Sequence, residues 1–253
     1  MIPLRDLNPV STRPVVTYAI IAINVVVWLL EVFVWLGQGD GAMQALIYRY
    51  GVVPWYLVHD PHVGSWITPI SSMFMHGGWM HVIGNMWFLW IFGDNVEDAL
   101  GKARFVAFYV LCGLAAVAAQ VAIDPSSQIP MVGASGAIAG VLAAYVTLYP
   151  RARILTLVPI FIFIQFMELP AFLFIFVWFG FQLLSGYVSL GTVGQEMGGT
   201  AFFAHIGGFV AGLALVRIMR KRDGGRSPHR VHYRPRAREP HQHWGVDRNR
   251  PWN

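Results

Sequence analysis

Residues 133–149 open Gly133-Ala134-Ser135-Gly136-Ala137-Ile138-Ala139-Gly140 and run on uncharged from Val141 to Tyr149. The run is close to the minimum needed to cross about 30 Å of hydrocarbon. Ser135 stands at its head, framed by small residues. A serine placed so can act as a nucleophile, but at a bilayer edge it meets water only where the protein admits it. Gly136 and Gly140 are four residues apart, a spacing that lets a second helix backbone come close. Ala204, Gly208 and Gly212 repeat the spacing within Thr200–Met219, and His205 lies beside them. The two runs predict tightly packed helices that bring a serine and a histidine to one depth.

The rest of the chain fits such a bundle. Of its 253 residues, 56% are hydrophobic and 12% charged, and the mean hydropathy is +0.52. A soluble domain carries about 25% charged residues, so the composition predicts an all-α, multi-spanning membrane protein. Six segments are long enough to cross: Val15–Leu36, Met80–Asn95, Ala103–Ile123, Gly133–Tyr149, Leu169–Leu190 and Thr200–Met219. Six crossings put both termini on one side. Arg5, Arg13, Lys102, Arg104, Arg151, Arg153 and the basic residues from Arg217 onward all fall on that side, leaving Arg49 opposite. Positive charge marks the cytoplasmic face. The formal net charge of +5 is therefore read as topology, not as a nucleic-acid surface. The first segment outruns a signal-peptide core and has no small-x-small cleavage site after it, so it is read as a retained helix. Cys112, the one cysteine, is read as a buried packing residue.

This gives a cytoplasmic N-terminus over 1–14, a six-helix membrane domain over 15–219, and a basic, disordered cytoplasmic tail over 220–253. The long first loop, from Gly37 to about Trp79, lies outside. Its Trp55, Tyr56, Trp66 and Trp79 suit the headgroup level. Ile154–Met167 is apolar but holds Pro159. As a helix it spans roughly 21 Å, too little to cross, so it is read as interfacial or as a short hairpin packed under the bundle.

The chemistry follows from the topology. His81 and Asn85 on the second helix, Ser135 on the fourth and His205 on the sixth share one depth in the outer half of the membrane. Polar groups there are functional candidates. His205 is the base that takes the Ser135 proton and the acid that protonates the leaving amine. Asp124 and Glu196 have no helical register with His205, so a Ser-His dyad is predicted. The Ser135 backbone N–H, Asn85 and His81 are candidates for the oxyanion. His76 is read as tethering the loop to the bundle.

These residues resemble those of the rhomboid intramembrane serine proteases. The matching elements are His76-Gly77-Gly78-Trp79-Met80-His81 with Asn85, then Gly133-Ala134-Ser135-Gly136, then Ala204-His205-Ile206-Gly207-Gly208 with Gly212. The resemblance covers the first helix to about Met219. It implies a six-span bundle with Ser135 as nucleophile, His205 as general base, and His81 and Asn85 on the oxyanion side. It also implies cleavage of other transmembrane proteins near the outer face of the bilayer, with no metal, cofactor or nucleic acid. A bacterial plasma membrane is the expected location, no mitochondrial presequence being visible. Substrates are expected to enter past the fifth helix, whose bulky stretch Phe179–Leu190 serves as a gate. Two departures stand out. The first loop lacks the Trp-Arg pair of many bacterial relatives. Ala139 also replaces the aromatic ring that often supports the histidine, leaving Phe202 or Phe203 as the expected support. A non-catalytic relative has typically lost the serine or the histidine, and a transporter needs ionisable groups through the midplane. Neither description suits this chain.

Overall fold

The computed structural model describes residues 2–60, 66–160, 163–191 and 202–221. Glu196, Thr200 and the tail from Arg222 lie outside them. Six long helices appear where apolar runs predict them: α1 (Val15–Gln38), α5 (Trp79–Leu100), α6 (Lys102–Ile123), α7 (Ser135–Leu148), α8 (Ala171–Gly191) and α9 (Phe202–Met219). By length and composition, α1, α6 and α9 are apolar enough to cross a membrane, whereas α7 and the Ala171–Phe181 part of α8 are shorter apolar helices. The first loop folds into α2 (Asp40–Tyr50), α3 (Pro54–His59) and α4 (Thr68–Ser71). Val52 bridges it to Met131, next to the turn that enters α7.

Helix α7 is the centre of the bundle. Every residue from Gly136 to Tyr145 is buried, because its alanines and glycines leave room for neighbours on all sides. A Cβ at Gly136 would strike the Ala116 methyl, and one at Gly140 would strike Cys112 of α6. On the α9 side, a Cβ at Gly208 or Gly212 would strike the Gly136 or Gly140 backbone. The two predicted small-residue faces thus meet, backbone on backbone. Cys112 is fully buried among them.

Helix α1 has no side-chain cap from its own sequence. Its first turn is held from α5 instead. The Glu97 carboxylate accepts hydrogen bonds from the Val16 N–H (3.0 Å), the Thr17 N–H (2.7 Å) and the Thr17 hydroxyl (2.8 Å). Asp98 receives the Ser11 N–H and the Thr12 hydroxyl in the same way.

The expectation of an all-α fold is corrected by a three-stranded antiparallel sheet of order β1-β2-β3. Its strands are β1 (Ile2–Asp6), β2 (Arg153–Ile160) and β3 (Phe163–Pro170). The stretch 154–167, too short to cross as a helix, becomes most of a β-hairpin rich in β-branched and aromatic residues. Pro159 fits in β2 because β1 reaches only to Leu157, opposite Ile2. Beyond that point β2 has a partner on one side, so the missing N–H leaves no gap in the ladder. The sheet is tied to α5 through β1, where the Trp87 indole N–H donates to the Pro3 carbonyl at 2.7 Å.

Candidate active site

Three local features place Ser135. Gly133 adopts φ +124, a backbone state that L side chains avoid. Its N–H donates to the Ser72 carbonyl at 2.8 Å, tying the turn to the end of the first loop. A Cβ at Gly133 would also lie 2.6 Å from the His81 ring. Glycine is therefore required here twice over, by backbone and by space. The chain then turns at Ala134 into α7, and Ser135 begins the helix with its N–H at the positive end.

His205 lies one turn into α9. Its Nε2 is 2.7 Å from Ser135 Oγ, and the residue is 8% exposed. This contact depends on the glycine faces, since a serine side chain is too short to bridge an ordinary helix–helix spacing of 8–10 Å. The ring that backs the imidazole is Trp178 of α8, with centroids 5.8 Å apart. Phe202 or Phe203 was the expected support, and the ring contact seen among the described residues is made by Trp178. With Ala139 too small to reach, the aromatic support comes from the next helix. Phe179 stacks on Phe209 of α9 at 4.1 Å and fixes α8 beside the histidine.

Asn85 and His81 flank the turn before Ser135. The Asn85 amide nitrogen lies 3.6 Å from the Gly133 Cβ position. The same amide donates to His76 Nε2 at 3.0 Å, and the His76 and His81 rings pack edge to face at 5.1 Å. Burial, with His81 as the next cause, pushes the His76 imidazole down to about 4. A neutral ring at ordinary pH keeps the lone pair that Asn85 needs. His76 is itself held, its backbone N–H donating to both Glu31 oxygens at 3.3 Å. Glu31 is a residue that sequence reasoning passed over. Its signal was plain: an acid within an otherwise apolar first helix.

A cavity of about 30 Å³ opens beside Ser135, between α6, α7 and the Ser72–Met73 turn. It has room for water, and Ser135 and Ser72 are among the residues that line it. Among the described residues no His, Cys, Asp and Glu cluster is arranged to hold a metal ion. The arrangement brings together a hydroxyl, an imidazole nitrogen, amide donors and a small cavity with room for water.

Fold and site together define a helical membrane protein with a serine and a histidine joined across two of its central helices. The chain matches the Rhomboid domain family over residues 63–222, and it belongs to that family. It is 30% identical over 163 residues to the mouse presenilin-associated rhomboid-like protein, mitochondrial. That match takes in 62% of this chain and 40% of the mouse protein. A Bacillus subtilis protein, provisionally named rhomboid protease YdcA, is 30% identical over 138 residues, covering 52% of this chain and 61% of its own. Yeast rhomboid protein 1, mitochondrial, is 33% identical over 106 residues, covering 40% of this chain and 31% of its own. The chain thus spans about two-fifths of the length of the mouse relative.

Proposed function

We propose that this protein is an intramembrane serine endopeptidase that hydrolyses peptide bonds in or beside the transmembrane helices of other proteins. The observation that carries the reading is the 2.7 Å approach of His205 Nε2 to Ser135 Oγ. In the proposed reaction Ser135 Oγ attacks the scissile carbonyl carbon while its proton passes to His205 Nε2. The carbonyl oxygen becomes an oxyanion, for which the Ser135 backbone N–H, the Asn85 amide and His81 are the donors. The C–N bond then breaks as His205 returns the proton to the leaving amine. Water from the neighbouring cavity attacks the acyl-serine by the same proton path in reverse.

The proposed topology has six crossings, adding α5, α7 and α8 to the three helices that qualify by length and composition. Both termini lie in the cytoplasm, following the basic residues, and the membrane is a bacterial plasma membrane. Ser135 then stands in the outer half of the bilayer. A helical substrate hides its carbonyls in hydrogen bonds, so substrates are spanning segments with small or helix-weakening residues near the outer interface. They enter between α5 and α8, where Phe88 packs against Phe174 and Trp178. The reaction needs neither metal nor cofactor.

The test is cleavage of a single-span substrate in liposomes by the full chain, beside Ser135→Ala and His205→Ala. Cutting by the unsubstituted chain and by neither variant supports the dyad. Cutting that survives Ser135→Ala overturns it. If nothing is cut, fluorophosphonate labelling decides: labelled Ser135 marks a competent enzyme offered the wrong substrate, and unlabelled Ser135 marks a binding protein.

A further inference from the structure

His205 stands in the weakest part of its helix. α9 begins at Phe202, so residues 202–205 form its first turn. The first N–H groups of a helix have no partner within it, and a helix end frays unless something outside accepts them. A base that holds 2.7 Å from Ser135 Oγ needs a first turn that does not move. Some group outside α9 has to secure it.

Helix α6 supplies that group. The Ala204 N–H donates to the side-chain oxygen Oε1 of Gln120 at 3.2 Å. Ala204 is the residue before His205 and is buried; Gln120 is half-buried. Spacing explains how α6 comes within reach. Cys112, Ala116 and Gln120 are four residues apart and share one face of the helix. Cys112 meets the Gly140 position of α7, and Ala116 meets the Gly136 position. α7 starts at Ser135, so one turn further along α6 the row has passed the end of that neighbour. There it meets the start of α9 instead. A Cβ at Gly207 would strike the Ala119 methyl and the Ala115 carbonyl. The two helices therefore touch without a side chain between them, and a glutamine is long enough to reach the exposed N–H one turn back. From Val110 to Ile123 no other residue carries a side-chain amide. A polar group within an apolar helix is a functional candidate.

We propose that Gln120 is a positioning residue for the general base: it caps α9 from α6, fixes the first turn of that helix, and so sets the reach of His205 Nε2 to Ser135 Oγ. This rests on the protease reading above. Among the described residues Gln120 makes no hydrogen bond to Ser135, His81 or Asn85, so it acts through the backbone of α9 and not on the reacting atoms. The dependence is steep, because a shift of about 1 Å at a reacting group costs up to roughly a hundredfold in rate. The same device appears at the first turn of α1, where Glu97 of α5 accepts the Val16 and Thr17 N–H groups. There it secures a helix; here it secures the helix turn that carries the base.

The test uses the full-length protein in liposomes with a fluorophosphonate as the probe. Its labelling of Ser135 gives a maximal rate, kinact, and a half-saturating concentration, KI. Gln120→Leu keeps the bulk and removes the acceptor. Gln120→Asn keeps the amide but falls one methylene short of Ala204, a gentler removal should the leucine variant not fold. Gln120→Glu keeps both the length and an acceptor oxygen. The expected result is a fall in kinact of about tenfold for the Leu and Asn variants, with KI changed less than about twofold and most of the rate restored in Gln120→Glu. Equal kinact in all four chains overturns the proposal. A change confined to KI also overturns it and assigns Gln120 to ligand contact. So does equal loss in the Glu and Leu variants, which assigns the residue to packing. Amide hydrogen exchange gives a second reading that needs no reaction. The amides of residues 204–206 are expected to exchange about tenfold faster in the Leu and Asn variants than in the unsubstituted chain, and an unchanged rate overturns the cap. Exchange is read whether or not Ser135 takes the label. An unsubstituted chain that stays unlabelled therefore counts against the protease reading, while the exchange rates still decide the cap.

Discussion

Gly208 of α9 rests directly against the Gly136 carbonyl of α7. This contact sets how far His205 stands from Ser135. Added volume at Gly208 must push α9 away or strain both helices, at a cost of about 1–3 kcal/mol. Gly208→Ala is therefore expected to lower the Tm and reduce fluorophosphonate labelling of Ser135 at least tenfold. Gly180→Ala is the control, because a Cβ there meets nothing within 4 Å. Equal labelling of the two variants would show that the helix separation does not govern the site.

Trp178 backs the His205 imidazole without being placed to react. An aromatic contact of this kind contributes roughly 1 kcal/mol, which is about a fivefold to tenfold change in rate. Trp178→Ala is expected to lower kcat by that factor and leave KM within twofold, with Trp178→Phe restoring most of it. A change confined to KM would assign Trp178 to substrate contact instead.

His76 gives a prediction in pH. Its ordinary pKa is 6.5, and the fold depresses it to about 4. Above pH 6.5 the ring is neutral in both folded and unfolded chains, and its contribution to stability is complete. As pH falls from 6.5 toward 4 the unfolded chain gains a proton that the folded one refuses, so stability drops, then levels off below 4. His76→Gln keeps a polar partner for Asn85 but does not titrate. Its Tm should fall less than that of the unsubstituted chain between pH 7 and pH 4; parallel curves would exclude His76 as the source.

Glu97 serves α1 as a cap supplied from another helix. Glu97→Ala leaves the Val16 and Thr17 N–H groups without their acceptor, at a cost of about 1–3 kcal/mol. The expected outcome is a Tm several degrees lower, with Ser135 labelling at 25 °C unchanged. An unaltered Tm would mean that water satisfies the first turn of α1 as well as the carboxylate does.

The helices and the paired site were legible because their signals repeat at helical spacing. Gly136 with Gly140, and Gly208 with Gly212, announced two faces that had to meet, and Ser135 and His205 lay beside them. The sheet carried no comparable signal. Residues 154–167 are apolar without alternation, so periodicity does not separate strand from buried helix. The partner strand Ile2–Asp6 lies far away in sequence. Trp178 was hidden for another reason. Helix α8 is bulky and apolar around its described surface, so nothing along its sequence singles out the one ring that turns to His205. Glu31 was visible as an isolated acid in an apolar helix, yet its partner is a backbone N–H, which leaves no mark in a sequence.

The pairing of β1 with β2 has a bearing on how the molecule is made. Ile2 pairs with Leu157, so the first strand leaves the ribosome long before its partner exists. At about 5–20 residues per second the delay is roughly 8–30 s. During that interval the N-terminal residues have only α5 to lean on, and α5 itself emerges about halfway through. Pairing of the first strand therefore comes late, when Leu157 and its neighbours have been made. A chaperone or insertase that shields the early segment has that window in which to act, and α8 and α9, made after the hairpin, bring Trp178 and His205 to the site later still.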